Sequence, residues 1–107
     1  DIKHNIQTAC DRAEQARTKG NEGQARVCAR RAAGIAIRDY LTRNGTHIPS
    51  ASSYDLLNLL KDDSLLPPDL KLITDHLTLR VTEEFKLPVD ADLIAEARVL
   101  CEWLLNK

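Results

Sequence analysis

The sequence predicts an all-α fold, an antiparallel bundle of four long helices and one short helix that forms a single domain over residues 1–107. Apolar residues recur at steps of three and four, which is the helical period, and almost no segment alternates as a strand does. Aromatic residues make up only 4% of the chain, so the core must consist of aliphatic and alanine side chains. All four prolines and most glycines lie between the periodic segments, where they mark the ends of helices.

Two long helices come first, separated by a break that contains two glycines. We expect the first helix from Ile2 to about Lys19 and the second from about Glu22 to Arg43. The apolar stripe of the second helix is alanine until Tyr40, and such small side chains let neighbouring helices approach closely. This helix should therefore be central. The pair Asn44-Gly45 ends it, because both residues tolerate the left-handed backbone conformation.

Three more helices follow an irregular loop. A short helix is predicted from Tyr54 to about Lys61, capped by Ser53. The fourth helix should begin near Pro68 and continue to Leu87, since the next residue is a proline. The last helix should follow a cap at Asp90 or its neighbour. The short connections predict mostly antiparallel neighbours.

The net charge of −1 conceals an asymmetry along the chain. Residues 1–50 contain nine Lys/Arg and five Asp/Glu, a net charge of +4, whereas residues 51–107 contain six Lys/Arg and eleven Asp/Glu, a net charge of −5. Three interpretations are open: a basic face for a polyanion, two faces that attract one another across a dimer, or solvated helix faces that differ by chance.

Catalytic, metal-binding and cofactor-binding patterns are not found in the sequence. No phosphate-binding glycine motif occurs, and the three histidines are far apart. The three cysteines lie in helical patterns among apolar neighbours, which predicts reduced core thiols in a cytoplasmic protein. No apolar run is long enough to span a membrane. Since the chain has no methionine, we expect residue 1 not to be the natural start.

Basic residues on the second helix are the strongest candidates for ligand binding. Arginines at helical spacing repel one another unless an anion lies nearby. That anion could be a phosphate backbone, an acidic face of another subunit, or the local carboxylates of Glu22 and Asp39. No aromatic residues are interleaved with the arginines, so stacking on bases is not supported. The predicted contacts are Arg26, Arg30, Arg31 and Arg38.

Two helices have apolar arcs that are wider than one core requires. Leu72 and Leu79 widen the fourth helix, and Val99 and Trp103 widen the last. A helix that is apolar on two sides is buried on two sides, which favours an interface in a homodimer. A further segment of the same chain could instead cover these residues, and both interpretations remain open.

The order of these elements resembles the HEPN (higher eukaryotes and prokaryotes nucleotide-binding) domain family over about residues 9–105. Lys19-Gly20-Asn21 is similar to the break after that family's first helix, and Ala25 to Gly45 resembles its long second helix. Tyr54 to Leu60 resembles its short helix, and Asp90 to Leu104 resembles its final helix. The order and spacing of the segments carry the resemblance, since each pattern alone has low specificity.

One departure from the family bears directly on function. Ribonuclease members carry an arginine followed by a histidine, and Arg80 resembles that arginine, but no histidine follows it. The residue in place of the short-helix histidine is Tyr54. The resemblance therefore implies a non-catalytic binding module for a nucleotide or RNA, or for a nucleotidyltransferase-type partner, with Arg80 as a further phosphate contact. The alternatives are a purely structural helical interaction domain and a divergent ribonuclease.

Overall fold

A computed structural model describes residues 1–48, 52–80 and 87–107, and these residues form helices without strands. The all-α prediction is therefore confirmed for this part of the chain. The helices are α1 (Ile2–Thr18), α2 (Glu22–Arg43), α3 (Ser53–Leu60), α4 (Pro68–Thr78) and α5 (Leu93–Leu105).

The first two helices have the predicted bounds to within one residue. Gly20 has a φ of 79°, a left-handed conformation that costs glycine little, and it turns the chain between α1 and α2. The Asn21 side chain then caps α2 by accepting a hydrogen bond from the Gln24 amide at 3.1 Å. Local sequence signals are sufficient to define this helical hairpin.

The caps of two later helices lie at positions other than those predicted. Ser52, not Ser53, caps α3, because only Ser52 lies three residues before Asp55 and can exchange hydrogen bonds with it in a capping box. Asp92, not Asp90, caps α5, since its carboxylate accepts hydrogen bonds from the amides of the first turn.

Helix α4 is shorter than the leucine pattern predicts. Leu79 has an extended backbone, with φ −65° and ψ 143°, so the helix ends at Thr78 and not near Leu87. The Arg30 guanidinium on α2 donates hydrogen bonds to the carbonyl oxygens of Leu77 and Leu79, at 2.6 Å and 3.3 Å. These bonds satisfy carbonyls at the helix end. The predicted continuation through Val81 lies outside the described residues.

Helix α2 is the centre of the molecule, as its alanine stripe predicts. It packs against each of the other four helices. Small side chains form most of its buried face and allow these close approaches. The buried small residues are Ala25, Cys28, Ala29, Ala32, Ala33, Gly34 and Ala36.

Helix α5 is antiparallel to α1 but runs in the same direction as α2. Residues that come later in α5 contact residues that come later in α2. The Cys101 thiol donates a hydrogen bond to the Ala32 carbonyl oxygen at 3.5 Å, and, further along both helices, the Arg43 guanidinium donates one to the Leu104 carbonyl oxygen at 2.8 Å. This pair is an exception to the antiparallel neighbours that short connections predict, because two further helices separate α2 from α5 in the chain.

The three cysteines Cys10, Cys28 and Cys101 are buried free thiols, as predicted. None of the helices in the described ranges is long and apolar enough to cross a membrane.

Candidate functional site

A groove of about 420 Å³ lies along the middle of α2, where the start of α1 and the start of α3 approach that helix. Its volume lies within the range of small-molecule binding sites. We call it the α2 groove. It is lined by Ile2, Arg31, Gly34, Ile35, Arg38, Asp39, Thr42, Ser53 and Leu56.

Two of the predicted arginines, Arg31 and Arg38, line the α2 groove together. They are seven residues apart, which is about two helical turns or about 10 Å along the axis, so both side chains project from one face of α2. Arg31 is exposed and forms no hydrogen bond or ion pair within the described part of the chain. The groove lining therefore contains two cationic residues of one helix face.

Gly34 lies between the two arginines and brings α3 against α2. A Cβ atom at this position would be 2.4 Å from the Ser53 Oγ atom and 2.9 Å from its Cβ atom, which is closer than such atoms approach. Only glycine allows this packing, and the packing makes the start of α3 one wall of the groove.

The remaining lining is partly apolar and partly polar. Ile2, Ile35 and Leu56 supply aliphatic side chains from three different helices. Asp39 is the one acidic residue among the described lining residues, and its carboxylate accepts a hydrogen bond from Arg43 at 2.8 Å. The lining thus contains two guanidinium groups and one carboxylate, and that carboxylate is paired with Arg43.

The other predicted phosphate contacts lie outside the groove. Arg30 is turned toward the end of α4, and burial, with a smaller effect from Arg26, lowers its pKa. Arg26 is partly buried, Arg80 is exposed just beyond α4, and neither lines the groove. The structure thus brings two of the five predicted arginines together.

The predicted interface residues differ in exposure. Leu72 and Val99 are 54% and 52% exposed, whereas Leu79 is partly buried. The Trp103 ring packs on the Tyr40 ring, with 5.8 Å between their centroids, and it lies 5.1 Å below the Lys107 ammonium. Contacts within the monomer thus cover part of Trp103.

The sequence patterns placed only Arg31, Arg38 and Asp39 of the lining residues in a candidate site and missed Ile2, Gly34, Ile35, Thr42, Ser53 and Leu56. Ile2, Ser53 and Leu56 come from segments far from Arg31 in the chain, and helical periodicity assigns them only to an apolar stripe or a cap. Gly34 was the available signal, because a glycine within a stripe of alanines indicates close contact with another backbone.

A second groove, of about 340 Å³, lies between α1 and α5. Cys10 and Leu105 are among its lining residues, with Arg98 and Glu102 at its polar edge. Neither groove has a cluster of metal ligands, and no such cluster occurs elsewhere in the described ranges.

Comparison of the chain with protein-family models, with curated proteins and with solved structures gave no match. The α2 groove offers two guanidinium groups, one carboxylate, hydroxyls and an aliphatic surface.

Proposed function

We propose that this chain is a non-catalytic, HEPN-like helical module that binds a nucleotide or RNA in the α2 groove. The observation that supports this proposal most is the presence of Arg31 and Arg38 in one groove, two turns apart on one helix. Guanidinium groups match phosphate oxygens in geometry as well as in charge, and they can donate two parallel hydrogen bonds to one phosphate.

The aliphatic lining suits the rest of such a ligand. Ile2, Ile35 and Leu56 could cover the face of a base or sugar, while Thr42 and Ser53 offer hydroxyls to its polar edge. Since no aromatic ring lines the groove, binding depends on phosphate contacts and apolar burial and not on stacking. The affinity should therefore depend strongly on salt.

Titration of the chain with adenosine monophosphate, a short single-stranded RNA and inorganic phosphate tests this proposal. Arg31→Ala and Arg38→Ala should each weaken binding by about tenfold and reduce the salt dependence by about one phosphate contact. Arg12→Ala is the matched control, because Arg12 is an exposed arginine on α1 that does not line the groove. Circular dichroism would confirm that each variant is folded.

Two results would contradict the proposal. Equal weakening by Arg12→Ala and Arg31→Ala would indicate attraction by net charge and not a site. Cleavage of the RNA that disappears in Arg80→Ala would show a divergent ribonuclease instead of a binding module.

Exposed apolar residues on α4 and α5 favour a second candidate function, a helical surface that pairs with another protein. Leu72 and Val99 are each more than half exposed, so a partner that covered them would remove apolar surface from water. The partner would be a second copy of the chain or, as the HEPN resemblance implies, a nucleotidyltransferase.

Light scattering tests the homodimer. The mass should be twice the chain mass of 12.0 kDa and should fall to that of one chain in Leu72→Asp/Val99→Asp. Val27→Asp is the control, since Val27 is an exposed valine on α2. A monomeric wild-type chain would contradict the dimer, and dissociation by Val27→Asp alone would place the interface elsewhere.

A further inference from the structure

The turn between α3 and α4 exposes the apolar side chain of Leu65 to solvent. Leu65 is 73% exposed, the largest value among the exposed apolar side chains of the described residues. Leu59 and Tyr54, both on α3, are 49% and 41% exposed. These three exposed apolar residues all lie within residues 54–65.

The turn that presents Leu65 is fixed by specific contacts. One carboxylate oxygen of Asp63 accepts a hydrogen bond from the Leu65 amide at 2.9 Å, and the other accepts one from the buried Tyr40 hydroxyl at 2.6 Å. The next residue, Leu66, is buried in the core, and Pro67 restricts the backbone that follows. Leu65 therefore cannot turn inward without breaking this arrangement.

Carboxylates precede and follow the exposed apolar residues along the chain. Asp55 lies four residues before Leu59 on the same face of α3, and Asp62 lies in the turn that follows the helix. Asp69 follows Leu65 in the first turn of α4. None of these three aspartates forms an ion pair within the described ranges.

Lys61 does not pair with these aspartates. The Lys61 ammonium donates a hydrogen bond to the Thr78 hydroxyl at 2.8 Å and lies 3.5 Å from the Asp75 carboxylate. It is therefore directed toward α4, and no ion pair of the described residues joins Lys61 or Lys71 to Asp55, Asp62 or Asp69.

We propose that this Leu65 surface (Tyr54, Asp55, Leu59, Asp62, Leu65 and Asp69) docks a basic amphipathic helix of a partner protein. Apolar side chains of that helix would cover Leu59 and Leu65, and its lysines or arginines would pair with the aspartates. The same aspartates repel phosphate groups, so this surface does not serve the ligand of the α2 groove. The partner and the anionic ligand could thus bind one chain together.

A fluorescein-labelled peptide of about 18 leucine and lysine residues, with the leucines at helical spacing, is the probe. Fluorescence anisotropy should show binding that weakens as salt rises. Leu65→Ser should weaken it by about tenfold, and Asp62→Asn/Asp69→Asn should weaken it and reduce its salt dependence. All three substituted side chains are exposed or only lightly packed, so the fold should be retained.

Val27→Ser is the matched control, because Val27 is an exposed aliphatic residue on α2, and it should bind the peptide as the wild-type chain does. A peptide with glutamate in place of lysine should not bind. Three results would overturn the proposal: no binding of the basic peptide, equal weakening by Val27→Ser, or a dimer of the chain that Leu65→Ser alone dissociates, which would make a second copy the occupant.

Discussion

At the scale of single residues, Gly34 determines how closely α3 approaches the central helix. The space where its Cβ atom would lie is filled by the Ser53 side chain from the start of α3. The absence of a side chain at Gly34 thus lets α3 pack closely against α2, and the start of α3 forms one wall of the α2 groove.

Gly34→Ala should therefore destabilise the protein. The added methyl group forces the start of α3 outward, and overpacking of this kind costs about 1 to 3 kcal/mol in the free energy of unfolding. Urea unfolding measures this value. Gly23→Ala, also on α2, is the control, because the nearest atom to its Cβ would be 3.8 Å away, and it should be neutral or stabilising. A larger loss from Gly23→Ala would contradict this account.

The Cys101 thiol makes the free energy of unfolding depend on pH in the alkaline range. Burial, more than the nearby Cys10 thiol, raises the pKa of Cys101 to about 12 from its ordinary value of 9.0. Above pH 9 the unfolded chain releases this proton while the folded chain keeps it, so the stabilising contribution is complete below pH 9 and is lost as pH rises toward 12.

We expect the free energy of unfolding to fall by about 1 kcal/mol between pH 8 and pH 10 through this group. Cys101→Ala lacks the thiol, so its decline over the same interval should be smaller by that amount. Urea unfolding of both proteins at the two pH values measures the difference. Parallel declines would show that Cys101 does not contribute.

At the scale of elements, three arginine side chains connect the ends of different helices. Arg17 pairs with Glu22 at the start of α2 and with the α5 cap Asp92, at 2.8 Å and 2.9 Å. Arg30 donates to the last carbonyls of α4, and Arg43 donates to the Leu104 and Lys107 carbonyls at the end of α5. Arg30 and Arg43 satisfy backbone carbonyls that a helix end leaves free, whereas Arg17 pairs with carboxylates at the starts of two helices.

Replacing the adjacent residues Arg30 and Arg31 on α2 should accordingly change the free energy of unfolding by different amounts. Arg30→Met removes two hydrogen bonds to carbonyls and should cost about 1 to 2 kcal/mol in the free energy of unfolding. Arg31→Met should stay within about 0.5 kcal/mol, because Arg31 is exposed and makes no such bond in the described ranges. Thermal unfolding compares the two, and equal losses would contradict the assigned roles.

These contacts also explain which elements the sequence could predict. The bounds of α1 and α2 follow from local signals, because apolar periodicity and the adjacent Gly20 and Asn21 define them. The end of α4 was predicted wrongly, since the arginine that satisfies its last carbonyls lies 47 residues away in the chain. No local pattern of leucines contains that information.

At the scale of the whole molecule, the uneven charge along the chain corresponds to the two proposed sites. Arg31 and Arg38 from the basic half line the α2 groove, and Asp55, Asp62 and Asp69 from the acidic half are exposed carboxylates of the proposed Leu65 surface. The arginine pair was predictable because residues that are seven positions apart lie on the same face of a helix. The aliphatic lining was not, because it is assembled from three helices by tertiary packing.

A nuclear magnetic resonance titration of the ¹⁵N-labelled chain with adenosine monophosphate and with short single-stranded RNA tests the central proposal most directly. We predict that the largest amide shift changes occur at the lining of the α2 groove, around Arg31, Gly34, Ser53 and Leu56, and that Arg31→Ala suppresses them. Changes confined to α4 and α5, or no changes with either ligand, would contradict a nucleotide or RNA site in this groove.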